Sequence, residues 1–313
     1  MAARLVAVPQ ILRQRTIRQP VHAIGIGVHS ANKVRITLRP AGENTGITFL
    51  RSDLSAARIA AQVNNVSDTT LSTTLSSEGV QVATVEHLMS ALWGTGVDNV
   101  IVELTAEEVP IMDGSSEPFV DLIRMAGVME QPAAKQFLRI RRPVRVSQGD
   151  AWAALEPWHG FNVQYTFQAD HPVYNQHPKN ASIDFCRTSY ITEVCRARSF
   201  GLVAELPQAH AINRCLGSSL DNAVGIDDTH ILNPDGLRYP DEFVKHKILD
   251  AIGDLYLLGH SLIGAFSGYK SGHALNNRLL RKLLEAEHAW QRETFDDVGE
   301  APISYVQPIE AYS

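Results

Sequence analysis

The stretch E-F-V-K-H-K-I-L-D-A-I-G-D-L, Glu242 to Leu255, decides how this chain is read. Ile248, Leu249, Ile252 and Leu255, continued by Leu258, recur at the period of an α-helix, and the pattern predicts one from about Pro240 to Leu258. His246, Asp250 and Asp254 then fall at i, i+4 and i+8 on one face. An imidazole and two carboxylates set among residues that should be buried are costly without partners, and a cation is the simplest way to satisfy a histidine and a carboxylate one turn apart. Taken alone, such a pair is more often a solvated helix face, so the reading needs a second element.

That element is T-V-E-H-L at 84–88. A helix is expected from about Thr84 to Trp93, with Val85, Leu88, Met89 and Leu92 on one face, Thr84 as N-cap and Gly94 to Gly96 as the stop. Glu86 and His87 diverge by about 100° on such a helix. At a helix start, however, the histidine can ligate a metal while the carboxylate before it acts as base on the attacking water. Val85-x-His87 is echoed by Val244-x-His246, a weak sign of duplication under which the two histidines meet across a pseudo-twofold interface. His87, His246 and Asp250 together leave one of four tetrahedral positions open, as a catalytic zinc requires. A third motif, Y-K-S-G-H-A-L-N-N at 269–277, places His273 at the start of the last helix, predicted from about Ala274 to Arg292. A helix N-terminus disfavours a charged imidazole, so a general-acid role for His273 needs a carboxylate neighbour, for which Asp254 is the candidate.

Working outward, strand patterns occupy Val34 to Leu38, Gly46 to Leu50, Asn99 to Leu104, much of 137–168 and Ser261 to Phe266, with a further helix at about Pro118 to Ala126. M-E-Q-P-A-A-K-Q at 129–136 reads as a linker. The expected fold is α+β, in two similarly built domains, 1–135 and 136–313, each a sheet with helices on one face. Segment 196–236 lacks periodicity and reads as a functional insertion near the ligand.

The 313 residues carry a net charge of −6, 44% hydrophobic and 20% charged residues, which speaks against nucleic acid or an anionic membrane as main partner and against wholesale disorder. No apolar run is long enough for a membrane span, and the N-terminal stretch reads as a ragged leader without a signal-peptide cleavage site. Three cysteines, Cys186, Cys195 and Cys215, without a CxxC spacing point to a reducing compartment, the cytoplasm by default. G-I-G-V-H-S at 25–30 lacks the third glycine and context of a dinucleotide site, and D-T-T-L-S-T-T-L at 68–75 and Asp113-Gly114 read as turn chemistry. No phosphate-binding lysine loop or serine-hydrolase elbow is present.

Taken together, T-V-E-H-L, V-P-I-M-D-G-S (109–115), R-A-R-S-F-G (196–201), the 242–255 stretch and Y-K-S-G-H-A-L-N-N resemble the bacterial UDP-3-O-acyl-N-acetylglucosamine deacetylase (LpxC) family, in order over roughly residues 14 to 310. The resemblance implies two βααβ-type sandwich domains with the active site at their interface. It also implies a cytoplasmic, zinc-dependent hydrolysis, with Fe2+ an alternative metal in the cell, that releases acetate from the 2-acetamido group of a UDP-linked acylated glucosamine in lipid A biosynthesis. By the same resemblance His87, His246 and Asp250 match the metal ligands, Glu86 the base, His273 the acid that protonates the leaving amine, and Asp254 its charge partner. Ser199 stands where the family usually has threonine and keeps a hydroxyl for the oxyanion. Lys247 and Lys270 match positions near the sugar-nucleotide diphosphate, and His29 a histidine in the same region. Phe200, Leu202 and Cys215 fall on the acyl-chain passage, Leu202 replacing a common phenylalanine, and Ala169 stands where an aromatic often packs on the uracil. A monomer is expected. The competing readings are a binding protein for sugar-nucleotides or acyl chains whose histidines are structural, and a metal-independent dehydratase, which would leave His246 and Asp250 without a joint purpose.

Overall fold

A computed structural model describes residues 11–185 and 190–303. Residues 1–10 of the expected leader, Cys186 and residues 304–313 lie outside the described residues. The strand Lys33–Pro40 buries Val34, Ile36 and Leu38 on alternate positions, as its pattern demands. It pairs antiparallel with Val21–Ile26 and Val100–Leu104; the latter runs parallel to Ile47–Arg51, which pairs with Ala57–Ala60 to complete a five-stranded sheet. The second sheet has seven strands around Ser261–Tyr269, which pairs antiparallel with Ala151–Glu156 and parallel with Phe161–Thr166 and Phe137–Ile140.

Helices back both sheets, an α+β arrangement. Glu117–Ala126 packs on Val21–Ile26, His273–Glu285 on Val144–Gln148 and Ala151–Glu156, and Glu242–Tyr256 on Phe161–Thr166 and Ser261–Tyr269. The central contact joins Glu86–Thr95 to Glu242–Tyr256. Every residue of the shorter helix is buried, and Leu88, Leu92, Ile248 and Ile252 belong to one hydrophobic core that runs through both halves. Gly253 permits the approach: a Cβ there would lie 2.0 Å from the Glu86 carbonyl oxygen. That approach sets the turn carrying Glu86 and His87 against the long helix.

Three expectations are corrected. The 129–136 stretch is no linker: Val128–Ala134 is a strand paired with Arg13–Ile17, which lies in the expected leader. A bulge lets Pro132 into that ladder and hides its two-residue period. The last helix ends at Glu285, and Trp290–Glu293 is an edge strand on Phe137–Ile140; 286–289 contain neither Gly nor Pro to signal the stop. The helix expected from Thr84 starts at Glu86 with Val85 at the N-cap, and the Thr84 hydroxyl donates to Glu108 Oε1 at 3.0 Å. Segment 196–236, read above as an insertion near the ligand, holds the parallel strands Phe200–Leu202 and Val224–Ile226 and a short helix, Leu206–Ala211. Among the described residues no helix is long and apolar enough to cross a membrane.

Candidate active site

The two first-helix histidines meet. The rings of His87 and His246 stand edge-on with centroids 5.0 Å apart, and each Nε2 lies 3.4 Å from the same oxygen, Asp250 Oδ1. One ligand atom from each residue lies within 4.8 Å of the others, and all three side chains are buried. Among the described residues Asp250 Oδ1 has no hydrogen-bond donor, whereas Oδ2 is taken by the Lys247 ammonium at 2.7 Å. A buried carboxylate oxygen without a donor, facing two imidazole nitrogens, suits a divalent cation, and the donor set of two nitrogens and one oxygen is one that zinc accepts.

The surroundings put these groups in ligating form. His246 Nδ1 lies 3.0 Å from the Ala197 carbonyl, which accepts its N–H and turns Nε2 toward the site. Burial lowers the His246 pKa to about 4 against the opposing pull of Asp250, so the ring is neutral. For Asp250 burial acts upward, but His246 and Lys247 outweigh it and hold the carboxyl well below its usual range. Ser116 Oγ donates to the His87 carbonyl at 2.7 Å, steadying the first turn of that helix.

Beside the three ligand candidates stand a carboxylate and an imidazole. Glu86, 3% exposed, accepts the Thr73 N–H on Oε2 at 3.0 Å, and burial raises its pKa. Its Oε1 lies 3.8 Å from His273 Nε2. His273 opens its helix, and its Nδ1 lies 2.8 Å from Asp254 Oδ2. Burial alone would lower the His273 pKa; Asp254, then Glu86, overcome it and lift the value to about 9. The stripe on the long helix thus divides: His246 and Asp250 face His87, while Asp254 turns to His273.

A cleft of about 640 Å³ opens on this group, lined by Glu86, His87, His246, Lys247, Asp250 and His273 at its head. Ser199, Phe200, Leu202, Cys215 and His29 line it as well, together with the apolar Val203, Leu206, Leu220 and Leu232. Lys270 lies elsewhere, partly exposed with its ammonium on Asp150. Ala169 packs at the edge of the cluster containing Phe200 and Phe243. Two buried residues were not foreseen in their roles. Glu108 accepts the N–H groups of His29 and Ser30, each at 2.9 Å, and the Thr84 hydroxyl, tying the His29 loop to the residue before the N-cap of the Glu86 helix. Thr73 bonds both Glu86 and Asp254. Neither has a local signal, because their partners are brought together only by tertiary packing.

An α+β fold holding a buried His–His–Asp set able to take a divalent ion, with a carboxylate and an imidazole beside it on one cleft, is the arrangement expected of a metal-assisted hydrolase. The particular family follows from comparison: residues 14–285 match the model of the UDP-3-O-acyl N-acetylglycosamine deacetylases, and the chain belongs to that family. It is 55% identical over 302 residues to the UDP-3-O-acyl-N-acetylglucosamine deacetylase of Marinobacter nauticus, an alignment covering 96% of this chain and 99% of the relative. Relatives of the same name from Thioalkalivibrio sulfidiphilus and Methylococcus capsulatus are each 54% identical, with 96% of this chain aligned to 100% and 99% of theirs.

Proposed function

We propose that this protein hydrolyses the 2-acetamido group of a UDP-linked 3-O-acylated glucosamine, releasing acetate for lipid A biosynthesis in the cytoplasm, and that zinc held by His87, His246 and Asp250 serves the reaction. The observation that carries the reading is the donor-free Asp250 Oδ1 placed 3.4 Å from both imidazole Nε2 atoms. When bound there, zinc supplies Lewis-acid polarisation of the amide carbonyl and acidifies water in the site.

The chain's own groups divide the remaining work. Glu86, made more basic by burial and fixed by the Thr73 N–H, takes a proton from the attacking water. His273 enters the reaction charged, because Asp254 holds Nδ1–H and leaves Nε2–H facing Glu86 and the cleft, and it delivers that proton to the departing amine. Ser199 donates its hydroxyl to the developing oxyanion. Lys247 occupies Asp250 Oδ2 and so leaves Oδ1 as the oxygen this carboxylate would offer a metal, and its charge at the cleft also suits the substrate diphosphate. His29 in the cleft serves the sugar-nucleotide, Lys270 does so only if it leaves Asp150 outside the cleft, and Phe200, Leu202 and Cys215 line the path of the acyl chain. The test is acetate release from the UDP-sugar by wild type and by Glu86→Ala at equal metal content; equal rates would remove the base assignment.

A further inference from the structure

The D-T-T-L-S-T-T-L stretch supplies no reacting group, yet its buried Thr73 is joined to both the base and the acid of the chemistry above. The Thr73 N–H donates to Glu86 Oε2 at 3.0 Å, and the hydroxyl donates to Asp254 Oδ1 at 2.6 Å. The Thr73 carbonyl accepts the N–H of Val85, the N-cap of the Glu86 helix, at 3.3 Å. On its other oxygen Asp254 accepts from His273 Nδ1 and from Asn276 Nδ2, at 2.8 and 2.9 Å. A single residue therefore bridges the base carboxylate and the carboxylate that aims the acid, across two helices from opposite halves of the chain.

Resting on the deacetylase reading, we infer that Thr73 is a positioning residue for the hydrolysis, fixing Glu86 and the Asp254–His273 pair relative to each other through its peptide N–H and its hydroxyl. Its β-branched side chain has few χ1 wells, so the hydroxyl is held on Asp254 at little entropic cost. Without that donor, Asp254 Oδ1 is a buried acceptor with nothing to bond, and the carboxylate is free to turn. The His273 ring, anchored through Asp254, then leaves the geometry needed for proton delivery.

The experiment compares Thr73→Val, which keeps the shape and removes the hydroxyl, with Thr73→Ser, which keeps the hydroxyl, in metal-loaded protein. Thr73→Val is expected to lower kcat by roughly ten- to hundredfold with KM nearly unchanged, the scale at which small misplacements act. Thr73→Ser restores most of the loss. Zinc stoichiometry stays at the wild-type value in both, and the His273 Nδ1–H proton resonance shifts in Thr73→Val but not in Thr73→Ser. Should Thr73→Val not fold, Thr73→Ala carries the same comparison. A hydroxyl-free variant with wild-type kcat and an unmoved His273 resonance overturns the inference, as does a Ser variant as impaired as Val. Wild-type protein that releases no acetate overturns the deacetylase reading instead, and the resonance comparison still decides whether Thr73 orders His273.

Discussion

Asp254 and His273 form a buried pair, Oδ2 to Nδ1 at 2.8 Å, on helices that meet only in the folded chain. The pair raises the imidazole pKa to about 9 against the downward effect of burial, so the acid form of His273 persists through neutral pH. The alkaline limb of kcat is therefore expected well above the ordinary imidazole range. Asp254→Asn removes the charge and moves that limb acidward by about one unit or more, measured as kcat against pH. An unmoved limb would contradict the pairing.

The same shift acts on stability. The folded-state pKa of His273 lies above its unfolded value of 6.5, so its contribution is fully present below about pH 6.5 and is lost as pH rises through about 9. Urea unfolding of wild type and Asp254→Asn should differ most near pH 6 and converge toward pH 10. A gap that widens with pH would show that His273 is not charged in the fold.

Glu86→Ala and His273→Ala are each expected to lower kcat by roughly a hundredfold or more while metal content holds, because each removes one proton transfer and no ligand. His246→Ala and Asp250→Ala should instead lose the metal. Parallel elemental analysis and acetate assay separate the two groups, and a ligand variant that retains tight zinc would refute the ligand set.

Gly253→Ala tests the helix contact that brings Glu86 and His87 to the site. The added Cβ would meet the Glu86 carbonyl at 2.0 Å, and that atom is backbone, which no side-chain rotation relieves. A loss of about 3 kcal/mol in urea unfolding is expected, at the upper end for overpacking. A variant of wild-type stability would show that the helices can part without cost.

The sequence exposed the parts of this site that repeat locally. His246 and Asp250 share a face because a helix turns in 3.6 residues, and the echo of Val85-x-His87 in Val244-x-His246, though a weak sign of duplication, pointed to the meeting of the two imidazoles that the structure shows. Asp254 as the partner of His273 followed from the dipole at a helix start. Thr73 and Glu108 were out of reach because their bonds join residues from separate elements whose approach is set by packing. The Val128–Ala134 strand was missed because a bulge around Pro132 breaks its alternation, and the strand at Trp290 because no Gly or Pro marks the helix end.

Two imidazoles and one carboxylate are proposed to hold a divalent ion that acetate release requires. Metal content and acetate release from the acylated UDP-sugar, measured on the same sample before chelation, after chelation and after adding zinc back, decide this. One zinc per chain, activity abolished with its removal and restored with its return, is the predicted result; full acetate release from metal-free protein would contradict it.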